Sequence, residues 1–347
     1  MKKIITLSML FMATALFAQE EAPAPSFTVS GSVDAYYRAN LNAPNDEDAV
    51  APGSSFANLP GFALGMANVI ASYEGEKVGF VADLVFGPRG TDAVFASPMY
   101  SATGNIVNQL YAYWNVSESV TLTMGNFNTF LGYEVISPTA NFNYSTSYMF
   151  SYGPFSHTGI KADFALSEDF SLMLGVFNDT DLTEFNPTGD YAFGAQLGYA
   201  GQYLNFLLDP SFTEIDFTGG FDLSDSFFLG INAAYLTGED DGPGFYGAAL
   251  YPQLATSDTF TIGLRAEYFE QTDIDDPFFP GDSFDAIGTG MDSNVFAVTL
   301  TGSFAIDNLT IKPELRLDSA SDDFFLDSDL AAQKSLSSFV LAAIYSF

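Results

Sequence analysis

The chain has 347 residues, 43 of them acidic and 10 basic, for a formal net charge of −33; that balance excludes nucleic acid as a partner, because its phosphates would be repelled. Yet 48% of the residues are hydrophobic and 16% aromatic, including 36 Phe and 18 Tyr, which excludes a disordered, solvating chain. Cysteine is absent, so disulfides and thiol chemistry play no part.

At the start, Met1-Lys2-Lys3 is a short basic stretch, followed by the apolar run from Ile4 to Phe17 and the small Ala18 before Gln19. This is the order of a secretory signal peptide. The run is too short for a helical span, which needs roughly 20 apolar residues. Cleavage is expected after Ala18, with Ala15 as the other candidate, leaving residues 19–347 as a single mature domain. Removing Lys2 and Lys3 leaves eight basic residues against 43 acidic. No later stretch is long and apolar enough for a membrane helix.

Strict alternation follows. Phe80-Val81-Ala82-Asp83-Leu84 and Ile160-Lys161-Ala162-Asp163-Phe164 place their charges on one face. In Phe260 to Tyr268 every even position is apolar, while Thr261, Gly263, Arg265 and Glu267 take the odd ones. Leu309 to Asp318 puts Lys312, Glu314, Arg316 and Asp318 together. Period 2 is the signature of a strand with unlike faces, and in a transmembrane barrel those faces are lipid and lumen. Sliding 309–318 by one residue would push its charges into lipid at about 2–4 kcal/mol for each midplane Lys or Arg.

Strands are expected at 27–40, 62–75, 77–88, 105–116, 119–128, 156–167, 169–178 and 190–200, then at 202–209, 212–223, 226–238, 244–255, 258–271, 292–306, 308–319 and 335–347. Tight turns at Glu76, Ser117-Glu118, Glu168, Gly201, Ser224-Asp225, Thr256-Ser257 and Asp307 alternate with connections that are mostly long: 41–61, 89–104, 129–155, 179–189, 272–291 and 320–334. Such alternation matches short periplasmic turns and longer external loops. The expectation is an all-β, antiparallel, up-and-down transmembrane barrel of 16 strands. Asp209-Pro210 is the weak joint, since one bent strand there would reduce the count to 14. Pro252 and Pro313 fall inside strands, where proline cannot donate to the ladder, and are read as bulges. Phe339, Leu341, Ala343, Tyr345 and Phe347 alternate to the last residue. A terminal aromatic in an alternating strand resembles the signal read by outer-membrane insertion machinery, an expected partner alongside membrane lipid.

One stretch carries a family resemblance. Gly132-Tyr133-Glu134, Asn141-Phe142-Asn143-Tyr144-Ser145, Tyr148, Pro154-Phe155 and His157-Thr158-Gly159 resemble the OmpL-like β-barrel porins of Bacteroidetes-type bacteria. That family often carries Asn-Gly-Trp-Asp after the next strand; here the sequence is Asn178-Asp179-Thr180-Asp181, so only the ends agree. The resemblance implies a porin-like channel in the bacterial outer membrane and leaves the solute open.

Candidate pore-lining residues are the bases Arg38, Arg89, Lys161, Arg265, Lys312 and Arg316 with the acids Glu267 and Glu314. A positive strip facing acids across the pore would orient solutes; alternatively each base neutralises a neighbour such as Glu267, Glu314 or Asp34. Arg265, Lys312 and Arg316 are expected on one wall. Connection 129–155 is rich in Phe and Tyr with Glu134 as its single charge. So much apolar surface should pack against something, here inside the lumen as a constriction carried by Tyr133, Glu134, Phe142, Tyr144 and Tyr148. An external lid or a subunit contact in a homo-oligomer is the alternative.

Acid crowds the other external connections: Asp46-Glu47-Asp48, Glu239-Asp240-Asp241, Asp273, Asp275 and Asp276, and Asp322, Asp323, Asp327 and Asp329. Oxygen at that density could hold Ca²⁺ or Mg²⁺, but no calcium-loop pattern is present and a solvated rim is the simpler reading. Nothing points to a cofactor. Catalysis has little to work with: His157 is the single histidine, and by alternation it faces inward while Ser156 faces out. The expectation is passive diffusion of small hydrophilic solutes and ions, with cations favoured at the acidic mouth. The rivals are a sugar- or peptide-selective barrel and a structural or surface-binding barrel with a closed lumen.

Overall fold

The computed structural model describes residues 25–94, 106–239, 242–273 and 292–347. The expected signal peptide and Asp240, Asp241, Asp275 and Asp276 of the acidic rim lie outside the described residues.

Along the chain the strands are β1 (Ser26–Asn40), β2 (Gly61–Glu74), β3 (Val78–Phe86), β4 (Val107–Ser117), β5 (Val120–Asn128), β6 (Ser156–Ala165), β7 (Phe170–Phe177), β8 (Ala192–Tyr199), β9 (Gln202–Leu208), β10 (Phe212–Asp222), β11 (Phe227–Gly238), β12 (Gly244–Ser257), β13 (Phe260–Thr272), β14 (Ser293–Ile306), β15 (Leu309–Ala320), β16 (Phe325–Leu326), β17 (Ala332–Gln333) and β18 (Ser335–Ser346). The helices are single short turns, α1 (Pro88–Ala93) and α2 (Tyr148–Tyr152). β16 and β17 form a small separate hairpin, and the other sixteen strands close into one antiparallel barrel in which β18 pairs with β1. Closure leaves no edge, so every ladder is satisfied without water, as hydrocarbon surroundings require. The seam is completed by Phe347, whose N–H and C=O both bond Gly31 at 3.0 Å.

Side-chain alternation does what the sequence pattern predicts. On β15 Leu315 is 48% exposed on the outer face, while Lys312, Glu314, Arg316 and Asp318 are all buried on the inner one. β13 repeats this with Arg265 and Glu267 inside and Tyr268 outside.

The strand count is sixteen because Asp209-Pro210 makes a true turn. The Asp209 N–H donates to the Phe212 carbonyl at 2.9 Å, and its carboxylate accepts from the Ser211 N–H at 2.9 Å. The reading of the two strand prolines as bulges is corrected. Pro252 pairs with Leu229 and Pro313 with Leu341 in unbroken register. Each ladder on the other side keeps one register across the proline, because flanking residues hold the alignment while a single N–H is lost. The register shifts fall elsewhere, at Val33/Ala35, Asp83/Leu84, Asn115/Ser117 and Ala255/Ser257.

Candidate functional site: a charged socket inside the barrel

Connection 129–155 leaves β5 with one more ladder bond, Thr129 N–H to the Phe155 carbonyl at 2.9 Å, and then turns inward. Gln196 on β8 donates to the Phe130 carbonyl at 3.1 Å, and Gly132 N–H donates to Asp216 on β10 at 3.0 Å. Tyr133 stacks on Tyr251 of β12 with centroids 4.2 Å apart. Asn143 donates to Thr301 on β14 at 2.7 Å, Tyr144 N–H to Glu314 on β15 at 2.8 Å, and the Tyr144 hydroxyl to Asp34 on β1. One segment can touch strands all around a closed barrel only from inside it. Inward glycines seat its rings: a Cβ at Gly230 or Gly263 would lie 2.4 Å from Tyr133 or Phe142 respectively.

The segment is irregular apart from α2, which Ser147 caps by accepting from Phe150 N–H at 3.0 Å. Irregular backbone away from water needs other partners, and the charged wall supplies them by sign. Carboxylates take the N–H groups: Glu314 accepts from Tyr144 and Ser145 (2.8 and 3.2 Å), and Glu267 from Tyr148 and Met149 (3.0 and 2.9 Å). Cations take the carbonyls. Arg265 donates to Ser145 and Thr146 (2.6 and 3.1 Å), Arg316 to Thr146 (2.9 Å), and Lys312 to Pro138 (3.3 Å) and Asn141. Arg89, carried on α1 instead of a strand, donates to Ile136 and Tyr144 (2.8 and 3.0 Å) and lies 4.5 Å over the Phe56 ring.

Arg265, Lys312 and Arg316 thus meet the same segment from one wall. Arg265 pairs with Glu134 at 2.7 Å and Arg316 with Asp318 at 2.7 Å. Among the described residues Lys312 and Arg89 have carbonyl partners and no ion pair, while Glu267, Glu314 and Asp34 accept from the inserted segment. Lys161 stands apart toward the short-turn end, paired with the half-exposed Asp163 at 3.1 Å. Arg38 is buried on β1 and, among the described residues, neither terminal nitrogen has a hydrogen-bond partner.

Sequence reasoning missed the part played by connection 41–60. Ser55 N–H donates to the Ser151 hydroxyl at 2.6 Å, Tyr152 to the Gly53 carbonyl at 2.9 Å, and Arg316 to the Ser54 hydroxyl at 2.8 Å. Isolated serines carry no periodic signal that could have flagged them. His157 is fully buried between Phe130 and Phe177 (centroids 5.1 and 4.9 Å), with Nε2 2.9 Å from the Thr129 hydroxyl. Ser156, expected to face out, is buried beneath connection 178–191, where Asp181 accepts its N–H at 2.7 Å and that of Phe155 at 2.9 Å.

Residues 26–347 match the family model of the beta-barrel porin-2, OmpL-like type. No curated protein sequence matches the chain. The fold is shared with solved outer-membrane barrels. The channel DcaP of Acinetobacter baumannii is 12% identical, with a TM-score of 0.60 over 96% of this chain and 100% of that one. An anion-selective porin from Comamonas acidovorans is 10% identical, with a TM-score of 0.58 over 93% and 100%. OmpT of Vibrio cholerae, solved in a trimer form, is 12% identical, with a TM-score of 0.54 over 93% and 100%. The barrel therefore belongs to the bacterial outer membrane.

Proposed function

Because the chain belongs to the OmpL-like β-barrel porin family, we propose that it is a porin through which small hydrophilic solutes and ions diffuse passively, narrowed by the inserted segment 129–155 and preferring cations at its mouth. A sixteen-stranded wall is wide enough to enclose an aqueous channel. The observation that carries the reading is the inserted segment itself, polar-bonded around the wall. Nearer the short-turn end the inner face stays accessible, with Ser30 and Ser171 exposed and the Asp163 side chain 42% exposed.

Cation preference follows from what a solute meets first. Asp46, Glu47, Asp48, Glu239, Asp323 and Asp329 are exposed on the long-connection end, whereas Arg265 and Arg316 are buried and paired. A negative ring concentrates cations within about a Debye length, roughly 8 Å at physiological salt and 3 Å at 1 M. The zero-current potential across a salt gradient should therefore indicate cation preference at low salt and shrink toward zero near 1 M. Anion preference at low salt would overturn it. Charge selectivity does not travel with the fold at such low identity, so the Comamonas porin's preference does not decide this one.

A closed lumen is the second reading, favoured by how completely the segment buries the wall around Arg265, Glu267 and Glu314. In it the barrel would serve a structural or surface-binding role. Aromatic guidance of a sugar or peptide has less support, since Tyr144, Tyr148, Phe150 and Phe155 are consumed by packing. In the proposed function the chain is a channel and not an enzyme, and a homo-oligomer fits the porin class.

A further inference from the structure

Burial sorts the bases inside the barrel into two kinds. Arg38, Arg89, Arg265, Lys312 and Arg316 are all buried, and all but Arg38 donate to carbonyls of segment 129–155. Lys161 on β6 differs, with 25% of its side chain exposed and its partner Asp163 at 42%. Glu74 and Asp222 are exposed at the last positions of β2 and β10. Apart from those two, Lys161 and Asp163 are the charged residues of the described inner face that are not buried. Ring packing places Lys161 at the underside of the inserted segment. Its ammonium lies 5.5 Å from the Phe127 ring centroid. Phe127 packs on Phe177 at 5.8 Å, and Phe177 on Phe130 of the segment at 6.0 Å. Asp163 is the next inward position along β6, about 7 Å further toward the short turn at the strand rise of a sheet.

The two kinds of base respond differently to a passing ion. A buried pair such as Arg265–Glu134 keeps its geometry, because opening it would leave a charge uncompensated away from water. A half-exposed pair is worth only about 0–1 kcal/mol, so the Lys161 ammonium can turn from Asp163 to another anion at little cost. We infer that Lys161 is the specificity-determining base of the passage: anions, and the carboxylates of larger solutes, exchange with Asp163 at its ammonium as they pass the segment. The other bases hold the segment and do not meet the solute. This inference rests on the reading that the lumen conducts. It also separates two charge filters along one path. The acidic rim acts at a distance and fades with salt, whereas Lys161 acts at contact and partly offsets the rim's preference for cations. Near 1 M salt the rim reaches only about 3 Å, and the effect of Lys161 is then read with least interference.

The chain has no cysteine, so Lys161→Cys introduces a single thiol that can be given either charge. The cation-to-anion permeability ratio is read from the zero-current potential of the full mature chain in planar bilayers, at a mean KCl concentration of about 1 M, where the rim is screened. Loss of the ammonium should raise the ratio roughly twofold, since Asp163 is then left alone. Labelling the thiol with the cationic trimethylammonioethyl methanethiosulfonate should restore the wild-type ratio, and the anionic sulfonatoethyl reagent should raise it further. A merely structural lysine would not order the ratio by the sign of the attached group. Lys161→Gln is the second variant and should also raise the ratio. Equal ratios in the wild type, the variants and both labelled forms would overturn the role of Lys161 and leave the channel reading standing. A wild-type chain that passes no current would instead overturn the channel reading, and this inference with it.

Discussion

The inserted segment is held by single residues whose partners can be removed one at a time. Glu134 is the only charge the segment contributes, and it both pairs with Arg265 and accepts from Ser147 N–H at 2.6 Å. Glu134→Gln keeps an acceptor for Ser147 but leaves Arg265 buried with neutral partners only. Losing one member of a buried pair costs on the order of 3 kcal/mol, so the unfolding midpoint in micelles should fall clearly; an unchanged midpoint would mean the pair is not structural. Asp181 tests the outer end. Burial raises its pKa to about 7 against the bonds from Ser156 and Phe155, with nearby Asp209 adding to the rise. The folded state therefore binds this proton more tightly than the unfolded one, so between about pH 4 and 7 its contribution to stability declines as pH rises. Asp181→Asn retains an acceptor oxygen for both N–H groups and should flatten that decline in a pH series of unfolding midpoints. Parallel profiles would remove Asp181 from the account. These partnerships were not legible in the sequence. Arg265 has Glu267 two residues away on its own face, yet pairs with Glu134 because the segment inserts between the inner faces.

At the scale of the element, the sixteen wall strands were legible because lipid and lumen impose opposite chemistry on successive residues, and Leu309 to Asp318 could satisfy both in one phase only. The inward course of 129–155 was legible from its aromatic density around a lone charge. What escaped was the means of attachment, since backbone groups of any residue type can fill a charged socket and leave no mark in the sequence. Pro252 and Pro313 misled for a related reason: a proline announces a missing donor but not whether the flanking ladder holds its register. The strand phase has a direct check. Leu315→Lys places a cation on the outer face of β15 and should cost about 2–4 kcal/mol near the midplane, seen as reduced assembly into lipid vesicles. Wild-type assembly would mean that this face does not meet lipid.

For the whole molecule, the closed barrel supplies a continuous wall and segment 129–155 lies inside it; in the proposed function that segment sets the aperture. The wall needs no help to satisfy its backbone, so its inner charges are free to bind an irregular chain, and connection 41–60 packs over the result. In the proposed function, conduction depends on how much space the segment leaves and selectivity on the acidic rim outside it. The central claim is that segment 129–155 sets the aperture of an open pore. It is tested by the single-channel conductance of the wild-type chain in planar bilayers against a chain in which residues 136–151 are replaced by a short Gly-Ser linker. The account predicts small, ohmic steps for the wild type and several-fold larger ones for the shortened chain; equal conductance in the two, or none in either, would contradict it.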